Sequence, residues 1–211
     1  MAHHRPRLAL LVACASIAVG CSLSPRPDPS TFFMLTTIEL PDAPAAASWN
    51  TVLGIGPVTI PGYLDRPQLV TRVESNEVRL SGVARWAEPL REGVLRVLRQ
   101  DLLVASGARS VVLYPWSAGA LVEVVVAVDL LGFEPDARGN ATLVARWSVR
   151  EAAHGAVRTV RESHLSKPAN GKGTGAEVAA LSQALAALAG EIAVTVRELT
   201  PAPSRERAGP R

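Results

Sequence analysis

The sequence predicts one α+β domain, a mostly antiparallel sheet with two main helices packed on it. Three observations predict it. Runs of two-residue alternation recur along the chain, bounded by Gly, Pro, Asn and Ser turn residues. Two longer stretches, after Pro89 and after Thr174, carry apolar residues at helical spacing. Three alternating runs between Leu121 and Leu165 are joined by short turns, the signature of an antiparallel meander.

The elements follow in order. Thr31 to Leu35 is a short strand, and Leu40 to Asn50, rich in Pro and Ala, is a loop. Thr51 to Val58 is a strand ended by Pro57 and Pro61; its Gly54-Ile-Gly-Pro57 run points to a close backbone approach. Gln68 to Val73 and Glu77 to Leu80 flank Ser75-Asn76 as a hairpin. Pro89 suits the first turn of a helix in which Leu90, Val94, Leu98 and Leu102 share a face, and Gly107 ends it. Ser110 to Leu113, Leu121 to Phe133, Thr142 to Glu151 and Ala156 to Leu165 are strands. Val122, Val124, Val126, Val128 and Leu130 form one face of the second; Leu143, Ala145, Trp147 and Val149 form the apolar face of the third. Thr174-Gly-Ala-Glu177 matches a capping box opening a helix that runs to about Arg197, with Val178, Leu181, Leu185, Leu188, Ile192 and Val196 on one stripe.

The N-terminus predicts a lipid anchor. Arg5 and Arg7 precede an apolar run of 12 residues, Leu8 to Val19, and then Gly20-Cys21. That order is a secretory signal, and the run is too short to span about 30 Å of hydrocarbon. Ala18-Val-Gly-Cys21 fits lipoprotein processing, which acylates the cysteine. Leu11-Val-Ala-Cys14 fits the local pattern better, but it leaves an apolar run below the minimum of about 7 residues. The expected organisation is a signal peptide over 1–20, a lipidated Cys21 with a Pro-rich tether over 21–30, a domain over 31–199 and a disordered tail over 200–211. Ser22 is not the Asp that retains enterobacterial lipoproteins at the inner membrane, so the outer membrane, periplasmic face, is the expected address. An ordinary signal peptide and a cytosolic chain are the alternatives.

Charge and cysteine content exclude several classes. Removing residues 1–20 leaves 191 of 211, and takes Arg5 and Arg7 from the 22 basic residues, leaving 20 against 19 acidic. That balance carries no nucleic-acid footprint. Cys21 is then the last cysteine, so neither a disulfide nor a cysteine metal site is available.

No catalytic set is legible. His154 lies in a turn, and Ser163-His164 are adjacent in a strand, where side chains point to opposite faces. The two histidines lack metal-ligand spacing. The Gly54–Pro57 run lacks the third glycine and the helix of a dinucleotide site. Lys172, between Gly171 and Gly173, reads as a loop residue before a phosphate cradle. Asp65 and Glu88 are an acid/base pair only if the fold brings them together. Trp86 and Trp147 read as core or interface aromatics, and Trp116 as the one most open to solvent. No cofactor and no metal is expected.

The run Ile55-Gly-Pro-Val-Thr-Ile-Pro-Gly-Tyr-Leu-Asp-Arg-Pro-Gln-Leu-Val-Thr-Arg72 resembles the signature of the ABC-type transport auxiliary lipoproteins, a PqiC-like family. Arg85-Trp-Ala-Glu-Pro-Leu90, Ala145-Arg-Trp147, Ala180 to Leu188 and Phe32-Phe-Met-Leu35 agree with it, so the resemblance runs from Cys21 to about Glu198. It implies a non-catalytic outer-membrane lipoprotein of an MCE-type intermembrane lipid transport system, supporting membrane integrity. Implied partners are a periplasmic MCE-domain protein and inner-membrane transporter components; homo-oligomerisation is also raised, since heterologous contacts can close into rings. Tyr63, Leu64, Asp65, Arg66, Pro67 and Trp86 are the candidate partner or self-association residues, against a purely structural role for Pro57, Pro61 and Pro67 as turn formers. An envelope scaffold unrelated to lipid flow is the competing reading, and a cell-wall enzyme a distant third.

Overall fold

Eight strands and two helices are present among the residues that the computed structural model describes, 27–38, 49–117 and 119–200. The expected signal peptide, Cys21, the first part of the tether, most of the Leu40–Asn50 loop and the tail from 201 lie outside those residues. The order is β1 (Thr31–Phe33), β2 (Trp49–Thr59), β3 (Gln68–Glu74), β4 (Glu77–Trp86), α1 (Leu90–Ser106), β5 (Ala108–Leu113), β6 (Val124–Pro135), β7 (Ala141–Glu151), β8 (Val157–Lys167) and α2 (Thr174–Leu199).

The strands form two sheets. The larger has the order β5-β2-β6-β7-β8 and the smaller β1-β4-β3. The meander β6-β7-β8 is antiparallel, with Val126 opposite Val149 and Leu143 opposite Leu165. β2 runs parallel to both β5 and β6, and β1 runs parallel to β4, while β3 and β4 form the expected hairpin. The architecture is therefore α+β with mixed sheets. β2 is buried from Thr51 through Gly56, the continuous burial typical of a strand covered on both faces.

Both helices lie on the larger sheet and against each other. Val94, Val97, Leu98 and Leu102 of α1 and Leu181, Leu185, Leu188 and Ile192 of α2 are buried with Leu53, Ile55, Val126, Leu143 and Trp147. Each fully buried Leu or Ile contributes about 2 kcal/mol by leaving water. α2 is long and apolar enough to cross a membrane, with mean hydropathy 1.6, but 67% of that window is buried inside the domain. It is a core helix here, and its many alanines let it sit close to β7 and β8.

Local departures from the sequence pattern have identifiable causes. Alternation alone would put Phe133 opposite Leu130, yet both are buried in one core. The register shifts between Leu130 and Gly132, and that bulge returns Phe133 to the core face. Leu121 lies outside β6 and is exposed. The capping box at Thr174 does not form. Gly173 takes the cap position at φ 87°, and its carbonyl accepts the amides of Ala176 and Glu177, so Thr174 already belongs to the first turn.

Gly54 bears out the close approach expected of it. A Cβ there would meet Trp116 Cζ3 at 2.8 Å and Val122 Cγ1 at 2.9 Å. Trp116 is thus half-buried over β2, edge-on to Tyr114, though it is the least buried of the described tryptophans. Gly107 closes α1 in the left-handed region, φ 64° and ψ 21°, donating its N–H to the Leu103 carbonyl. Gly107→Ala should cost about 1 kcal/mol, because a Cβ is strained there; urea unfolding of the purified chain measures it, and an unchanged midpoint would contradict the cap.

Candidate functional site

The candidate motif folds as a tight turn between β2 and β3. Leu64 N–H donates to the Pro61 carbonyl at 2.9 Å, Arg66 N–H to Leu64 at 2.8 Å, and the Pro67 carbonyl accepts Trp86 N–H at 2.7 Å. The last bond joins the motif to β4, which places Trp86 beside Pro67 despite the 18 residues between them.

The six candidate residues divide into two groups. Leu64 is buried in the core. Tyr63 turns toward β6, where its hydroxyl donates to Glu134 Oε2 at 2.9 Å. Asp65, Arg66, Pro67 and Trp86 instead line one cleft of about 360 Å³, together with Ala87, Glu88, Pro89 and Leu90.

The first group anchors the turn. Glu134 is only 2% exposed, and Arg72 of β3 donates Nε–H to its Oε1 at 2.6 Å, with Nη2 in ion-pair contact with the same oxygen at 2.6 Å. Arg72 also donates to Tyr63 Oη at 3.1 Å and stands over its ring, 5.7 Å from the centroid. Burial first, then the Glu134 carboxylate, pushes the Tyr63 phenol up to about 12, so it remains a donor across the physiological range. The cluster ties the motif, the smaller sheet and the larger sheet together.

The second group forms a surface feature with a defined charge pattern. Asp65 is held by Arg91 at 3.0 Å, and Glu88 by Arg96 at 2.5 Å. Asp65 and Glu88, which the sequence could not place together, do meet in this cleft. Each is bound to its own arginine, and their role there is to set the charge of the rim. Arg66 makes no ion pair or side-chain hydrogen bond among the described residues, and its Nε is buried without a partner. Arg91 Nε is buried and unpartnered as well.

Other candidate chemistry is not assembled. Ser163 is buried, accepting Trp147 Nε1–H at 2.9 Å and donating to Glu191 at 2.5 Å. His164 is exposed on the opposite face, 2.9 Å from Glu162. His154 lines a separate cavity of about 540 Å³ with Arg150, Arg158, Glu123, Val149 and Leu199. Lys172 is exposed in its glycine loop. No cluster of three metal-ligating side chains occurs among the described residues.

Sequence reasoning missed Glu134, which lies one residue past the expected strand end, and gave Arg72 no role. Arg72 and Glu134 each stand among several polar positions near the end of their strands, and only the fold shows that they face each other. Arg91 and Arg96 lie off the apolar face of α1, and nothing in the sequence signals that they neutralise Asp65 and Glu88.

Comparison with known proteins gives one family. The model of the "ABC-type transport auxiliary lipoprotein component" family matches residues 33–193. No curated protein matches the chain. Crystal structures that share its fold include the following two. A Xanthomonas campestris protein of family DUF330 is 19% identical with TM-score 0.65, over 81% of this chain and 96% of its own. An uncharacterized protein is 19% identical with TM-score 0.62, over 79% of this chain and 98% of its own. At that identity the likeness speaks for the fold alone.

Proposed function

Because the chain belongs to the ABC-type transport auxiliary lipoprotein family, we propose that it is the non-catalytic outer-membrane component of an MCE-type intermembrane lipid transport system. In this reading Cys21 carries the lipid anchor, residues 22–30 tether the domain to the periplasmic face, and the domain docks the periplasmic MCE protein and supports envelope integrity. One observation carries it: the family match spans residues 33–193, nearly the whole folded domain. The proposal that it is not an enzyme is supported by Ser163 and His164 facing apart, and by Asp65 and Glu88 each being bound to an arginine. Association with inner-membrane transporter components, and with further copies of itself, belongs to the same proposal.

Three acyl chains bury many methylenes at about 0.8 kcal/mol each, enough for durable anchoring. Cys21→Ser should therefore move the chain from the outer-membrane fraction to the soluble periplasm, still folded. A variant that stays with the membrane would contradict the anchor. A native chain found in the inner-membrane fraction would contradict the address.

A further inference from the structure

We propose that the cleft between the Asp65–Pro67 turn and the start of α1 is a docking site for a peptide segment of a protein partner, one bearing an acidic side chain beside apolar residues. The inference rests on the docking role proposed above and specifies the partner's chemistry. Three observations carry it. The cleft wall is largely apolar, built from Pro67, Trp86, Ala87, Pro89 and Leu90. An aromatic edge flanked by prolines takes up apolar side chains without large loss of its own freedom. The charges on the rim do not balance: Arg91 answers Asp65, Arg96 answers Glu88, and Arg66 is left without a carboxylate among the described residues.

The hydrogen-bond inventory points the same way. Four buried side-chain polar atoms lack a partner among the described residues, and two of them, Arg66 Nε and Arg91 Nε, belong to this one cleft and its rim. Both Nε atoms are closed to solvent, so a docked carboxylate reaches Arg66 through its terminal guanidinium nitrogens, where it makes a charge-assisted bond. The occupant that answers the unpaired Arg66 guanidinium is anionic, and the apolar wall selects one with aliphatic neighbours.

The test uses the full chain, purified with whatever anchor it carries and labelled at arginine Nε with nitrogen-15. The probes are acetyl-Pro-Leu-Asp-Leu-amide and acetyl-Pro-Leu-Asn-Leu-amide. The Asp peptide should move the Nε–H resonances of Arg66 and Arg91 and the Trp86 indole, and the Asn peptide should bind about tenfold more weakly. Arg66→Gln should abolish the Asp preference, Arg66→Lys should keep part of it, and Arg109→Gln on exposed β5 should leave it intact. Equal binding of the two peptides, no movement of these resonances, or an Asp preference that survives Arg66→Gln would overturn the proposal. So would phosphatidylglycerol vesicles moving these resonances where the peptide does not, since the cleft would then read a lipid phosphate. Because the titration does not involve Cys21 or a native partner, its failure is separate from failure of the anchoring and transport reading.

Discussion

Glu134→Ala should lower the unfolding free energy by about 3 kcal/mol, the cost of leaving the Phe133 amide and the Tyr63 hydroxyl without their acceptor. The Glu134 carboxylate accepts the Tyr63 hydroxyl, the Phe133 amide and the Arg72 guanidinium. Arg72 is 36% exposed, so its charge can turn to water once the carboxylate is gone. The Phe133 N–H cannot, because Phe133 is buried. Tyr63 loses its acceptor, and with it the tie that holds the Tyr63–Pro67 turn against β6. Glu134→Gln keeps an acceptor for Tyr63 but not the charge, and should cost about half as much. Urea unfolding at neutral pH measures both. A loss under 1 kcal/mol for the alanine variant would mean that apolar packing and the Arg72–Asp136 backbone bridge hold the two sheets together without the ion pair.

Asp101→Asn should make the domain more stable at neutral pH and flatten its acid-side pH dependence. Asp101 is 1% exposed within α1, accepts the Ile38 amide, and has an Oδ2 without a partner among the described residues. Burial pushes its carboxyl up to about 6 from an ordinary 3.8, outweighing the Ile38 hydrogen bond that lowers it. The sign follows from proton linkage. Between about pH 4 and pH 6 the folded state binds the proton that the unfolded state has released, so stability falls as pH rises through that window. The accumulated cost at pH 7 is about 3 kcal/mol. Glu177 shifts in the same direction, also through burial, but is common to both proteins and cancels in the difference. Unfolding curves at pH 4 and pH 7.5 should separate the two proteins at the higher pH and bring them together at the lower. A gap that is the same at both values would show that Asp101 is not buried as a titrating acid.

Much of this fold was legible before the structure, for a physical reason. β6, β7 and β8 follow one another through short turns, so periodicity and punctuation determine both the strands and their antiparallel pairing. α1 and α2 each carry an apolar stripe and a clear end at Gly107 or before Pro201. What periodicity does not carry is partnership between distant segments. β2 pairs parallel with β5 and β6 across intervals that hold β3, β4 and α1, and nothing local to Thr51–Val58 names those neighbours. The division into two sheets was hidden for the same reason. The cap at Gly173, at φ 87°, was missed because a glycine's backbone freedom overrode the local residue pattern, and the bulge near Gly132 because a one-residue register shift leaves no mark in the periodicity.

The candidate site was legible as a list of residues and not as an arrangement. Tyr63 to Pro67 and Trp86 stood out through a resemblance, with no geometry attached. The structure gives Tyr63 and Leu64 to the interior and gathers Asp65, Arg66, Pro67 and Trp86 at a cleft. Ion pairs on a helix surface look alike in sequence whether or not they leave one arginine over, so the imbalance at Arg66 needed the contacts Asp65–Arg91 and Glu88–Arg96.

The role proposed for this domain is to dock an MCE-domain protein at the outer membrane. Its most direct test is crosslinking of the native chain in intact cells of its source organism, followed by mass spectrometry of what is captured, with barrier function measured after deletion of the gene. An MCE-domain protein among the captured partners and an outer membrane that becomes fragile to detergent are the expected results. An intact barrier together with no captured MCE protein would contradict that role.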